Sequence, residues 1–310
     1  HHPTLSHDPP TTSGTETNLT GRQEPARYRL FVTVVEDIAE AEDAPGGGVQ
    51  PRQLIVSVYG LYARRQGGWL SVASVVRLMA DLGVDAQAVR SSISRLKRRG
   101  LLVAEKRRGA AGYTLSPAAH DILSEGDARI FGRRRATLGD GWLVVVFSVP
   151  ETVREKRYRL RSELTRLGFG TVAPGVWIAP GHLESEAAEV LERLELTANA
   201  EVFRGQHVAF GEPAHNIARW WDLAALDQLY AEFLDRYRPV EQRSTGDPRA
   251  AFADYVEMVT RWRRLPYADP GLPLELLPAD WKGLRAQDLF ARLREKLAAP
   301  ADDHVTEALR

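Results

Sequence analysis

DAQAVRSSISRLKRRGLLVAEKRRGAAGYTL (residues 85–115) reads as one helix followed by a basic hairpin. Asp85 is a capping residue, and Val89, Ile93 and Leu96 recur at i, i+4 and i+7, which stacks them on one side of a helix. At about 100° per residue, Gln87, Ser91, Ser94 and Arg98 then point roughly opposite, with Arg90 and Arg95 on the flanks. Gly100 stops the helix. Leu101–Arg108 has strand composition, Gly109-Ala-Ala-Gly112 suits a turn, and Tyr113-Thr114-Leu115 returns as a second strand. A helix shaped for a major groove beside a basic loop shaped for the flanking backbone is the arrangement these residues imply.

The preceding residues complete a unit. Pro51 suits a first helical turn, and Leu54, Ile55, Val58, Leu61 and Tyr62 follow at helical spacing. Gly67-Gly68 breaks that helix and Trp69-Leu70 forms a short strand. Ser71 caps a second helix with Val72, Val75, Val76, Met79 and Leu82 on its apolar side, ended by Gly83. The order is that of a winged helix-turn-helix over residues 51–115. Twelve Lys/Arg against three Asp/Glu give this segment +9, while residues 1–50 carry −5 and the whole chain is neutral. Arg is abundant throughout, 36 against 5 Lys, but a preference for Arg over Lys does not concentrate charge in one segment. A basic unit on a neutral body points to nucleic acid.

The chain has no cysteine, which excludes disulfides, thiol nucleophiles and Cys-ligated zinc and fits the cytosol. The apolar run Leu30–Val35 is too short to span a bilayer, so no membrane partner is expected. Residues 1–50 form a flexible extension: the first 27 are rich in Thr, Pro, Ser, Gly and His, residues 28–42 suit a strand or a helix with an acidic run that favours a solvated arm, and Gly46-Gly47-Gly48 is a joint. The eight His show no H-x-x-x-H pairing, and no GxSxG, Walker loop or GxGxxG opens a helix. No catalytic residue, metal site or cofactor is therefore assigned.

Residues 116–140 read as a linker helix, from Ser116-Pro117 to Phe131, followed by Arg133-Arg134-Arg135, a run that suits either phosphate or solvent. The apolar run Trp142–Val149 has the length of a buried central strand. After it come a helix from Glu151 to Leu167 with Val153, Leu160, Leu164 and Leu167 inward, two strands about Pro174-Gly175, a helix over 184–196 and a strand at 200–203. This β-α-β-β-α-β order over 141–211 is ferredoxin-like. Residues 212–300 read as helical: one helix from Asn216 to Tyr237, one from Pro248 to Arg264, a Pro-rich segment over 265–281 and a last helix from Arg285 to Lys296 before a fraying tail. The fold class is α+β.

Segments spread along the chain resemble the PaaX-type transcriptional regulators: PRQLIVSVYGLY (51–62), AVRSSISRLKRRGLL (88–102), LGFGTVAPGVWIAP (167–180), and WDLAALDQLYAEFL (221–234) with RLPYADPGLPLELLPADW (264–281). The resemblance covers about 51–297 and leaves residues 1–50 without a counterpart. It implies a homodimeric repressor on double-stranded operator DNA, released by an acyl- or aryl-CoA effector such as phenylacetyl-CoA. On the residues themselves, Arg90, Arg95, Lys97, Arg98, Lys106, Arg107 and Arg108 suit phosphates, and Gln87, Ser91 and Ser94 suit base edges. A CoA thioester needs cations for its phosphates and an apolar slot for its acyl group. Arg154, Arg157 and Arg161 form one i, i+3, i+7 stripe, and Trp177, Trp220 and Trp221 could wall a slot; a solvated Arg face and core Trp are the competing readings.

The middle segment is also similar to the small ferredoxin-like endonuclease subunits of CRISPR systems, which carry a metal-binding acid at the end of the first strand. Here that strand ends Phe147-Ser148-Val149-Pro150, so cleavage is not expected. The remaining alternative is an adaptor that binds a protein through its C-terminal helices and leaves DNA binding indifferent to small molecules.

Overall fold

A computed structural model describes residues 48–132, 134–150, 152, 154–208, 213–243 and 246–310. The expectations for residues 1–47, for Arg133, and for Glu151 and Val153 at the start of the middle helix lie outside the described residues, as does the 211/212 boundary.

Helix α1 (Pro51–Val58) begins on Pro51 and runs on as a π turn over Tyr59–Ala63 and a 3-10 turn over Arg64–Gln66. Strand β1 (Trp69–Ser71) leads into α2 (Val72–Asp81), whose first turn is capped by Ser71 Oγ accepting from Ser74 N–H. Helix α3 (Ala86–Arg98) is capped by Asp85, which accepts from the N–H groups of Gln87 and Ala88 at 2.9 Å. Strands β2 (Leu102–Arg107) and β3 (Ala110–Leu115) form an antiparallel hairpin, and β1 adds to β3, giving the order β1-β3-β2.

The hairpin turn is not the four-residue Gly109–Gly112 segment expected from the sequence. It is the pair Arg108-Gly109, both at positive φ (49° and 81°), the two-residue geometry that matches strand twist. Gly112 lies within β3, where a Cβ would come within 2.5 Å of both the Trp69 ring and the Leu70 carbonyl oxygen. That glycine serves close approach to the indole rather than a turn.

The linker helix α4 (Pro117–Phe131) leads to the middle unit, which begins with β4 (Trp142–Phe147) and continues with α5 (Arg154–Leu167). Then come β5 (Gly170–Ala173), β6 (Val176–Pro180), α6 (Glu184–Arg193) and β7 (Ala200–Gly205). The antiparallel sheet order β5-β6-β4-β7 is the ferredoxin-like arrangement. Leu143, Val145, Phe147, Trp177 and Ala179 pack with Leu160 and Leu164 of α5 and Ala187, Val190 and Leu191 of α6. The apolar run of β4 therefore buries one face fully, while on the other Val146 is 38% exposed and Phe203 of β7, which pairs with Val144, is 57% exposed.

The last third is α7 (Pro213–Trp220), α8 (Leu223–Gln242), α9 (Pro248–Trp262), the short α10 (Leu265–Ala268) and α11 (Gly283–Ala308). The single helix expected over 216–237 is broken at Trp221-Asp222, because Asp222 caps a new helix by accepting from Ala225 N–H at 2.9 Å. The final helix does not fray after Lys296. It continues to Ala308 through Pro300, and buries Leu297, Ala301, Val305 and Ala308, contacts that offset the N–H missing at the proline.

The first and last units share one core. Ile55, Val58, Tyr59, Leu78 and Ile93 belong to the same apolar cluster as Phe233, Phe252, Val256, Trp262 and Leu293. Polar contacts cross the same seam: the hydroxyls of Ser57 and Thr260 lie 2.7 Å apart, Arg77 donates to the Ala308 carbonyl at 2.6 Å, and Asp81 meets Arg249 at 2.7 Å and His304 at 2.8 Å. The Pro-rich segment is pinned by Asp269, 2% exposed, whose carboxylate accepts from Tyr230 Oη at 2.7 Å, Gly271 N at 2.6 Å and Arg135 at 3.2 Å.

Two stability predictions follow from these contacts. Asp269→Ala strands several donors and an Arg, and is expected to lower the unfolding free energy by about 3 kcal/mol in urea titration; a change near zero would contradict the pinning role. Gly112→Ala is expected to cost about 1–3 kcal/mol, because the Leu70 carbonyl cannot yield like a side chain, and an unchanged midpoint would remove the close approach described above.

Candidate nucleic-acid interface

The two faces of α3 differ in what their side chains do. Val89, Ile93 and Leu96 are buried, with Ser92 beside them. Gln87, Arg90, Ser91, Ser94, Arg95, Lys97 and Arg98 are all exposed. Among the described residues, none of these seven side chains makes a hydrogen bond or an ion pair, so their donors are all directed to solvent. A 13-residue helix is about 20 Å long, and a B-form major groove, about 12 Å wide, admits a helix.

The hairpin splits its three cations. Lys106 and Arg108 are exposed, and Arg108 sits at the tip of the turn. Arg107 is spent within the protein. Its guanidinium donates to both carboxylate oxygens of Glu105 at 2.8 and 3.2 Å and to the Gly67 carbonyl at 3.3 Å, and it lies over the Trp69 ring at 5.6 Å. The hydrogen bond from Arg107 holds the Glu105 carboxyl below the usual carboxylate range. Trp69 also donates its Nε1–H to the Glu105 carbonyl at 3.1 Å. It therefore fixes the hairpin's base, a role that sequence spacing did not reveal; the clue was a glycine at a strand position opposite an indole.

The residues singled out for an effector fall in different places. On α5, Arg154 and Arg161 are exposed and Arg157 is half-buried. Trp177 is buried in the middle core. Trp220 and Trp221 are brought together, 6.1 Å between ring centroids, in a cluster with Trp142 and His207, and Trp221 Nε1–H donates to the Gly168 carbonyl at 2.9 Å. Among the described residues Trp177 makes no ring contact with that cluster. The two Trp thus brace the middle sheet against the helical unit.

Among the described residues no helix is long and apolar enough to cross a membrane, and no group of three or more His, Cys, Asp or Glu is placed to hold a metal ion.

Comparison with known proteins covers nearly all of the described chain. Residues 50–119 match the PaaX-like protein family, residues 135–217 the PaaX protein central Cas2-like domain, and residues 221–307 the PaaX-like protein C-terminal domain. The transcriptional repressor PaaX of Escherichia coli (strain K12) is 25% identical over 267 residues, 84% of each chain. An uncharacterized protein of Mycobacterium tuberculosis, 24% identical, shares the fold with a TM-score of 0.56 over 84% of this chain and 100% of its own. Three domains of one family thus follow one another in order along this chain, which belongs to the PaaX-type transcriptional regulators.

Proposed function

We propose that the chain is a sequence-specific repressor that binds double-stranded operator DNA as a homodimer and lets go when an acyl- or aryl-CoA such as phenylacetyl-CoA binds. In this reading residues 51–115 are a winged helix-turn-helix, α3 lies in the major groove, and the hairpin is the wing on the flanking backbone. It is the reading of a cytoplasmic regulator, not of an enzyme. The observation that carries it is the exposed face of α3, with seven polar or cationic side chains and, among the described residues, no intramolecular partner for any of them. The relative in Escherichia coli, named a transcriptional repressor, supports the same reading.

Roles divide by reach and charge. Gln87, Ser91 and Ser94 are assigned to base edges, and Arg90, Arg95, Lys97, Arg98, Lys106 and Arg108 to phosphates, with one Arg available for guanine. Arg107 belongs with the phosphate set by charge, but its bonds to Glu105 and Gly67 make it first a support for the wing.

Fluorescence anisotropy on the protein's own promoter fragment tests the reading. A dimer with about 6–10 phosphate contacts should lose roughly 10³-fold or more in affinity between 50 and 200 mM salt. Ser94→Ala should relax preference at one base pair, whereas Arg108→Ala should weaken all sequences alike. Salt-resistant binding, or weak binding to every duplex tried at low salt, would overturn the proposal.

A further inference from the structure

A cavity of about 530 Å³ opens where the start of α1 meets α8 and α9, well within the size range of small-molecule sites. Its wall is chemically divided. Leu229, Phe233 and Leu265 supply apolar surface, and Arg236, Arg261 and Arg264 supply guanidinium groups. One carboxylate, Glu232, lines it as well, and Glu257 pairs with Arg261 at 2.9 Å and with Arg236 at 3.4 Å, so positive charge remains in excess.

Tyr237 gives the cavity an unmet demand. The residue is 2% exposed, and among the described residues its buried hydroxyl has no hydrogen-bond partner. An unpaired buried donor is unfavourable, and an acceptor brought within its reach would relieve that. Burial, with Glu257 adding to it, pushes this phenol far above its ordinary range, so it stays protonated and serves as a donor. The cavity also touches the seam to the DNA-reading unit: Thr260, in its wall, meets Ser57 of α1 at 2.7 Å, and α1 packs on α3.

We infer that this cavity is the effector site, taking the acyl or aryl group of a CoA thioester against Phe233 and Leu265 and its anionic part at Arg236, Arg261 and Arg264. This rests on the effector reading given under the proposed function and places the site away from the Arg154/Arg157/Arg161 stripe and the Trp cluster. The ligand enters between α8 and α9, and a displacement of α9 is passed to α1 through the Ser57–Thr260 contact and the shared core. Release from DNA then follows from a shift of α3 relative to the rest.

Two variants reach the cavity without removing core atoms. Gly48 lines it, and a Cβ added there would meet no atom of the described residues within 4 Å, so Gly48→Trp adds bulk at the cavity wall without a clash at its Cβ. Arg236→Glu reverses an exposed charge at its edge. Isothermal titration of the full chain with phenylacetyl-CoA, and separately with free CoA, is the test, with operator affinity in the absence of ligand as the check on folding. Wild type should bind phenylacetyl-CoA more tightly than free CoA. Both variants should bind it at least tenfold more weakly while holding DNA as wild type does. If wild type binds and both variants bind equally well, the site is wrong and the effector reading stands. If free CoA binds as tightly as the thioester, the acyl slot is wrong. If wild type binds neither, the effector reading fails and the site with it.

Discussion

Helix α1 is shared between two units, and most of the structure depends on that. Ile55, Val58 and Tyr59 are fully buried, and they sit in one apolar cluster with α3 on one side and α9 and α11 on the other. Burying a large apolar side chain is worth about 1.5–3 kcal/mol, so these few residues join the two units firmly. The middle sheet has its own core and is attached through Trp142, Trp220, Trp221 and the buried Asp269 cluster. The proposed DNA-reading face is thus mounted on the helical unit, not tethered to it.

Charge by itself does not locate that face. Elsewhere in the chain guanidinium groups are repeatedly spent on acids: Arg64 on Asp127, Arg135 on Asp269, Arg243 on Asp254, Arg292 on Glu241. Arg166 of α5 and Arg193 of α6 both go to the buried Glu163 of α5. The surface pairs among these contribute little to stability, the buried ones at Asp269 and Glu163 more, and all of them consume donors. Among the described residues, the exposed side chains of α3 have no such partner along the whole helix, a property invisible to a count of Lys and Arg, whereas on α5 only Arg154 and Arg161 share it.

Much of the local structure was legible in the residues. Helical spacing found α1, α2 and α3, the cap at Asp85 set the start of α3, and the βαββαβ order followed from apolar runs and turn residues. The failures share a cause. Gly112 looked like a turn because its reason, an indole on a neighbouring strand, lies 43 positions away in sequence. The end of α11 looked frayed because what holds it is distant in sequence: α9 some 50 residues earlier, and Arg77 and Asp81 of α2 more than 200 residues earlier. The break at Asp222 was a local signal, a capping aspartate, hidden inside a continuous apolar pattern. The exposed face of α3 was readable because exposure on a helix follows from periodicity; the cavity beside α1 was not, because it is formed by three segments brought together only by the fold.

Hydrogen exchange under increasing denaturant tests the shared core most directly, since it reports which segments open together. The amides of Leu54–Tyr59 in α1 and of Val256–Thr260 in α9 should lose protection in one cooperative step, with α11 joining them. If residues 51–115 instead opened at clearly lower denaturant while α9 and α11 stayed protected, the two units would be separate bodies and the coupling described here would have no structural basis.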